Sequence, residues 1–136
     1  MPMLAIDHQD SFQKLLNSQN PDAVEQSEIS ALKERIIKAA APYCSGMLLD
    51  ISTALPAYKN LQKEGTILPP YFLTYTTTSY SEVGAGERLT NLAYTAQELK
   101  DHGAQGTKLF LYVHPKTQTF AEQIAVAKKA QDDSHT

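Results

Sequence analysis

The chain has a single cysteine, Cys44. One thiol closes no internal disulfide, so nothing in the sequence requires an oxidising compartment. The plainest role for Cys44 is that of a small buried apolar side chain. No apolar run approaches the ~20 residues that a membrane helix needs. The opening Met1-Pro2-Met3-Leu4-Ala5-Ile6 is too short for a signal peptide and meets Asp7 at once. The expected location is therefore the cytoplasm, away from membranes. Basic residues form no run longer than Lys128-Lys129, and the net charge is −3 with a pI near 5.7. A nucleic-acid partner is not expected, because it would call for a basic patch or stripe. There is no glycine-rich phosphate loop, no GxSxG and no CxxC, and Gly84-Ala85-Gly86 is too short for a phosphate cradle. The 136 residues, 42% hydrophobic and 20% charged, suit one globular domain spanning residues 1–136, not a disordered, collagen-like or coiled-coil chain.

What the chain does contain is a series of short apolar segments. Met3-Leu4-Ala5-Ile6 reads as a buried strand ending in Asp7-His8. Asp10 or Ser11 can cap a helix from Phe12, with Leu15 and Leu16 on its apolar side. Residues 17–26 read as a loop. Ser27 is the expected cap of a second helix, with Ile29, Leu32, Ile36 and Ala40 recurring on one stripe, Ile37 widening it, and Pro42 stopping it. Gly46-Met47-Leu48-Leu49 is a second strand, again ending in a carboxylate, Asp50. Residues 51–69, with Pro56, Gly65 and Pro69, read as a long connection. Residues 71–75 have strand composition, with no indication of which sheet they join. Residues 76–86 read as a polar loop of the kind that often carries function. Thr90 or Asn91 caps a helix with Leu92, Ala96 and Leu99 inward, stopped by Gly103. Thr119 with Glu122 opens a last helix with Phe120, Ile124 and Ala127 on one stripe, and residues 131–136 form a frayed tail.

Between these last helices, Gly106 to Pro115 reads as a strand that carries a cation. Alternation puts Lys108, Phe110, Tyr112 and His114 on one face and Leu109, Leu111 and Val113 on the other. A lysine in an apolar strand needs a reason. One packed face and one chemical face is what barrel enzymes built from parallel strands show. Strands alternating with helices predict an α/β fold with right-handed βαβ units around a parallel sheet.

Ligands of such sheets bind at the carboxyl ends of the strands. That edge gathers Asp7, His8, Asp50 and His114, with Lys108 on the same face as His114. Each has a plainer role. Asp7 and Asp50 suit the capping of a following turn equally well. His8 suits a solvated turn, and His114, before Pro115, the start of a loop. His102 suits a helix C-terminus, and His135 lies in the tail. Lys108 would otherwise form a buried ion pair with Asp7 or Asp50. A metal site from His8, His114, Asp7 and Asp50 is conceivable, but their spacing matches no compact ligand pattern.

Taken in order, these segments resemble the tagatose 1,6-bisphosphate aldolase family, which includes sulfofructose-phosphate aldolases. The resemblance runs from Leu4 to about Ala130. Leu4-Ala5-Ile6-Asp7-His8 is similar to the opening strand, where Asp usually precedes Gln. Ala41-Pro42-Tyr43-Cys44-Ser45-Gly46-Met47-Leu48-Leu49-Asp50 is similar to "PYAS-x-LLD", and Ala54-Leu55-Pro56-Ala57 to the "GLPA" turn. Arg88-Leu89 and the helix end from Glu98 to Ala104 also fit, and Gly106 to Tyr112 is similar to "A-x-KFLLYY". The resemblance implies the N-terminal part, about three βα units, of a (β/α)8 barrel. It also implies a class I, Schiff-base aldolase that cleaves a ketose phosphate to two trioses without cofactor or metal. Asp7 then matches an active-site aspartate, and Lys108 a lysine that favours anionic substrate groups. His8, Asp50 and His114 stand as substrate-binding candidates.

The chain departs from the family at Gln9-Asp10, where Arg-Gly is usual, and at Thr76-Thr77, where the loop usually carries Glu and Lys. The imine-forming lysine belongs to a later strand, so this segment alone is expected to be inactive. A full barrel takes ~250 residues. Three strands leave open edges, so self-association or a C-terminal half that completes the barrel is expected. The alternatives are a non-catalytic homologue that binds sugar phosphate or a protein partner, and a metal-dependent lyase or hydrolase.

Overall fold

The computed structural model of the protein describes residues 2–83 and 87–135, which fall into two compact units, Met1–Leu73 and Thr74–Thr136.

In the first unit, β1 (Met3–Ala5) is followed by α1 (Asp10–Leu16), α2 (Gln26–Ala40), β2 (Gly46–Leu49), α3 (Ala54–Lys63) and β3 (Tyr71–Thr74). β1 pairs parallel with β2, Met3 opposite Gly46, and β2 pairs parallel with β3, Met47 opposite Tyr71. The ladder extends past the strands: Ser45 N–H donates to the Pro2 carbonyl, and Ile6 N–H to Leu48. Parallel strands need crossovers, and α2 and α3 supply them. Met47, Leu49, Ile37, Leu61 and Leu73 are fully buried between sheet and helices. Each such side chain contributes about 1.5–3 kcal/mol relative to exposure. This is the α/β class with parallel βα units that the sequence predicts for part of a (β/α)8 barrel.

Several details of this unit differ from the sequence reading: Glu25, not Ser27, caps α2, and α1 begins at Asp10, not at Phe12. The buried line of α2 is Ile29, Lys33 and Ile37, at intervals of four, while Leu32 and Ile36 are half-buried. The connection 51–69 contains α3, which buries Ala54, Leu55, Ala57, Tyr58 and Leu61. Pro56 is tolerated because it lies in the first turn, where its missing N–H has no intrahelical acceptor to lose. Gly65 ends the helix at φ +82°, with its N–H on the Gln62 carbonyl and that of Thr66 on Leu61. Of residues 71–75, read as strand with no sheet indicated, Tyr71–Thr74 form the third parallel strand. The 17–26 segment is a loop apart from a short 3₁₀ turn, Pro21–Ala23, and the first turn of α2 at Gln26.

In the second unit, β4 (Thr76–Val83) and β5 (Glu87–Leu92) pair antiparallel, and α4 (Ala96–Asp101), β6 (Gly106–Lys108) and α5 (Phe120–Ser134) follow. The expected polar loop at 76–86 is therefore strand from Thr76 to Val83; its Gly84-Ala85-Gly86 lies outside the described residues. The expected helix start at Thr90 or Asn91 is strand as well. α4 starts later, where the Thr95 hydroxyl accepts from Glu98 N–H at 3.2 Å and the Glu98 carboxylate accepts from Thr95 N–H at 2.7 Å. Leu99 is fully buried and Gly103, at φ +89°, stops the helix, both as expected.

β6 covers only Gly106 to Lys108. Leu109 to Pro115 is not strand, and Phe110 and Val113 are about half exposed, so the two-faced strand expected there does not form. α5 buries Gln123 and Ala130, whereas Ile124, expected inward, is about half exposed. The expected tail is helical to Ser134, and it is anchored. Buried Tyr75 places its hydroxyl 2.8 Å from Ser134 Oγ and 3.3 Å from Asp133 Oδ2, and Asp133 Oδ2 also accepts from Ala96 N–H at 2.6 Å. No helix among the described residues is long and apolar enough to cross a membrane.

Candidate functional site

Parallel pairing sets the carboxyl ends of β1 and β2 side by side, and the polar residues of the first unit collect there. Asp7 and His8 follow β1, Asp50 follows β2, and α2 brings in a residue that the sequence reading did not single out, Lys33. Both Lys33 and Asp50 are fully buried. Lys33 Nζ donates to Asp50 Oδ1 at 2.5 Å and to the His8 carbonyl at 2.6 Å, and it lies 5.4 Å from the centre of the Phe12 ring.

Asp50 is saturated. Its Oδ2 accepts from Ser52 Oγ at 2.8 Å and Thr53 N–H at 2.7 Å; its Oδ1 accepts from Ala54 N–H at 3.2 Å as well as from Lys33. The Thr53 hydroxyl adds a further bond at 2.9 Å. This carboxylate therefore closes the start of α3 and balances the Lys33 charge. Of the two roles left open for Asp50, turn capping is the one observed, and it is joined to an ion pair.

Burial alone would favour a neutral Asp50. The hydrogen bond and charge of Lys33, the Thr53 N–H and the Ser52 hydroxyl outweigh that and hold its carboxyl below the usual range. Burial likewise pushes the Lys33 amine below its usual value, against the hydrogen bond and charge of Asp50 and the charge of Asp7. Asp7 is half-buried and His8 exposed beside this pair.

The structure thus brings Asp7, His8 and Asp50 together in the first unit. Asp50, one of the two partners expected for Lys108, forms its buried ion pair with Lys33. Lys108 and His114 belong to the second unit. Lys108 is half-buried, its carbonyl accepting from Tyr75 N–H at 2.9 Å and its amine 5.9 Å from the Phe110 ring centre. The Phe110 and Tyr112 rings meet edge to face at 4.9 Å, and the Arg88 guanidinium lies 5.2 Å from the Tyr112 ring centre. His114 is exposed. Its Nδ1 accepts from Lys116 N–H at 3.3 Å and its carbonyl from the Thr117 hydroxyl at 2.7 Å, the arrangement of a residue that starts a loop. Among the described residues, no three His, Cys, Asp or Glu side chains gather as metal ligands.

A signal for Lys33 was present in the sequence. It sits four residues after Ile29 and four before Ile37, inside an apolar line, as only a partnered lysine can.

No protein-family model matches the chain. Individual relatives do. The chain is 30% identical to tagatose 1,6-diphosphate aldolase 1 of Streptococcus mutans, over 95% of its own length and 41% of that relative. It is 29% identical, with the same coverage, to tagatose 1,6-diphosphate aldolase of Streptococcus agalactiae. It is 32% identical to tagatose 1,6-diphosphate aldolase 2 of Enterococcus faecalis, over 80% of this chain and 32% of that one. The chain spans about two fifths of the length of the first two. Over 95% of its length the chain is thus similar, at about 30% identity, to tagatose 1,6-diphosphate aldolases, which is consistent with an N-terminal portion of such a protein.

Proposed function

We propose that this chain is the N-terminal part of a class I aldolase that cleaves a ketose bisphosphate or a related ketose to two trioses. The observation that carries the reading is the alignment of 95% of the chain with tagatose 1,6-diphosphate aldolases. The placement of Asp7 beside Asp50 at the carboxyl ends of adjacent parallel strands supports it.

Such a reaction needs an amine of lowered pKa to form an imine with the ketose carbonyl. A base then takes the proton of the hydroxyl next to the cleaved carbon–carbon bond, and the bonding electrons pass into the iminium. Asp7, half-buried at a strand end, is the group we assign to the substrate hydroxyls. Lys108 is assigned to the substrate's anionic group, where a charge-assisted contact is among the stronger hydrogen bonds available. His8 is assigned to binding beside Asp7. Lys33 is not assigned to the imine: it is fully buried and engaged with Asp50 and His8. The imine-forming amine is expected outside residues 1–136.

The test is borohydride trapping with tagatose 1,6-bisphosphate on the full-length protein. The expected result is a covalent adduct, seen as a mass increase and unaffected by chelators. Stabilisation by the ketose phosphate with no adduct and no turnover would replace this reading with that of a non-catalytic binding protein. Asp7→Asn should lower turnover by ~100-fold or more, the usual contribution of a positioned acid–base group. Lys108→Met should raise KM for phosphorylated substrates more than it lowers kcat.

A further inference from the structure

The proposed reaction gives Lys33 no task, yet its surroundings are more specific than charge balance requires. Asp50 alone would satisfy the charge. The amine also donates to the backbone carbonyl of His8 at 2.6 Å, on the turn that carries Asp7, and it lies against the Phe12 ring of the helix that follows. An ammonium has three donors, and two of them fasten two different strand ends to α2. Both bonds are short and charge-assisted, and both are fully buried on the lysine side. Fixing the His8 carbonyl fixes the His8–Gln9 peptide plane, one residue beyond Asp7, and so narrows the course of the turn that carries the Asp7 carboxylate. A reacting group has to be held within about 0.5 Å of its productive place.

We infer that Lys33 is a positioning residue: its ammonium holds the His8 carbonyl, and through it the Asp7–His8 turn, in the orientation that substrate meets. The inference rests on the assignment of Asp7 made above, but the hold on the turn can be measured without substrate. A purely structural ion pair predicts that removing both charges together restores everything. A positioning role predicts that removing both recovers part of the stability alone, because the tie to His8 is still missing.

The experiment compares full-length wild type, Lys33→Met and Lys33→Met/Asp50→Asn by thermal melting, by hydrogen exchange in the peptide covering residues 7–13, and by kcat and KM for tagatose 1,6-bisphosphate. In the double variant the expected result is melting above that of Lys33→Met alone and exchange in the turn faster by roughly tenfold, the weight of one hydrogen bond to a charged group. The same variant should show kcat lower by ~100-fold, as small displacements of reacting groups can cause, with KM little changed. Wild-type exchange together with wild-type kcat in the double variant overturns the inference. If that variant does not fold, Lys33→Gln/Asp50→Asn, whose amide nitrogen ends one atom short of the lysine nitrogen, is expected to give the same pattern. If wild type neither cleaves nor is trapped by the ketose phosphate, the aldolase reading falls. Exchange in the turn then decides by itself whether Lys33 holds it: faster exchange supports the tie, and unchanged exchange overturns it.

Discussion

Asp50 accepts from Lys33, Ser52, Thr53 and Ala54 at once, so its ionised form is favoured by folding. Its carboxyl ionises at a lower pH in the folded protein than in the unfolded chain, where about 3.9 is usual. The stabilisation from this group is therefore present above the unfolded value and is lost as pH falls through the lower folded value. Melting temperatures followed by circular dichroism should drop as pH is lowered from about 5 towards 2. Asp50→Asn should melt lower at neutral pH and show a flatter acid limb; an acid limb as steep as wild type would contradict this account. Lys33→Met alone leaves Asp50 as a buried charge without its cation, and should cost about 3–5 kcal/mol. Asp7, His8 and Asp50 were legible because a strand end marks itself by a polar residue after an apolar run. Lys33 was missed, because the helical stripe was counted through Leu32 and Ile36 and the line from Ile29 to Ile37 on which it sits was not followed.

At the scale of elements, the legible segments were those with apolar runs and unambiguous stops, such as β1, β2, α2 and the end of α4. The misread ones share a cause: composition was taken as pairing. Pro56 and Gly65 looked like breakers, yet one sits in the first turn of α3 and the other just past its end. Gly65→Ala meets no atom within 4 Å, so its cost is the strain of a left-handed backbone alone, about 1–2 kcal/mol by chemical denaturation. Thr and Tyr between residues 76 and 90 are good strand formers, and β4 and β5 find each other as partners. Leu109 to Val113 has the same kind of composition and is not strand. The tail looked dispensable because it is polar; its Asp133 and Ser134 nevertheless hold Tyr75 and the start of α4. A chain ended at Ala130 should therefore melt lower and expose Tyr75 to iodination, whereas an unchanged melt would show that the last turn contributes nothing.

For the molecule as a whole, α/β class and parallel order followed from the alternation of segments, while the extent of a barrel cannot be read from a chain that spans two fifths of its relatives. β1 pairs with β2 on one side alone among the described strands, and Met3 there is about half exposed. An open strand edge invites association. Residues 1–136 expressed alone should sediment as concentration-dependent oligomers, and Met3→Lys should shift them towards monomer; a monomer at all concentrations would show that the edge is protected. The sealed position of Lys33 also gives the protein an internal gauge of its own integrity. An acylating reagent reaches exposed amines such as Lys38 while the chain is folded, but it reaches Lys33 only when α2 lifts from the sheet. The ratio of the two labels, read by mass spectrometry in a crude extract, would report the fraction of open molecules with no need for purified protein or for any knowledge of its substrate.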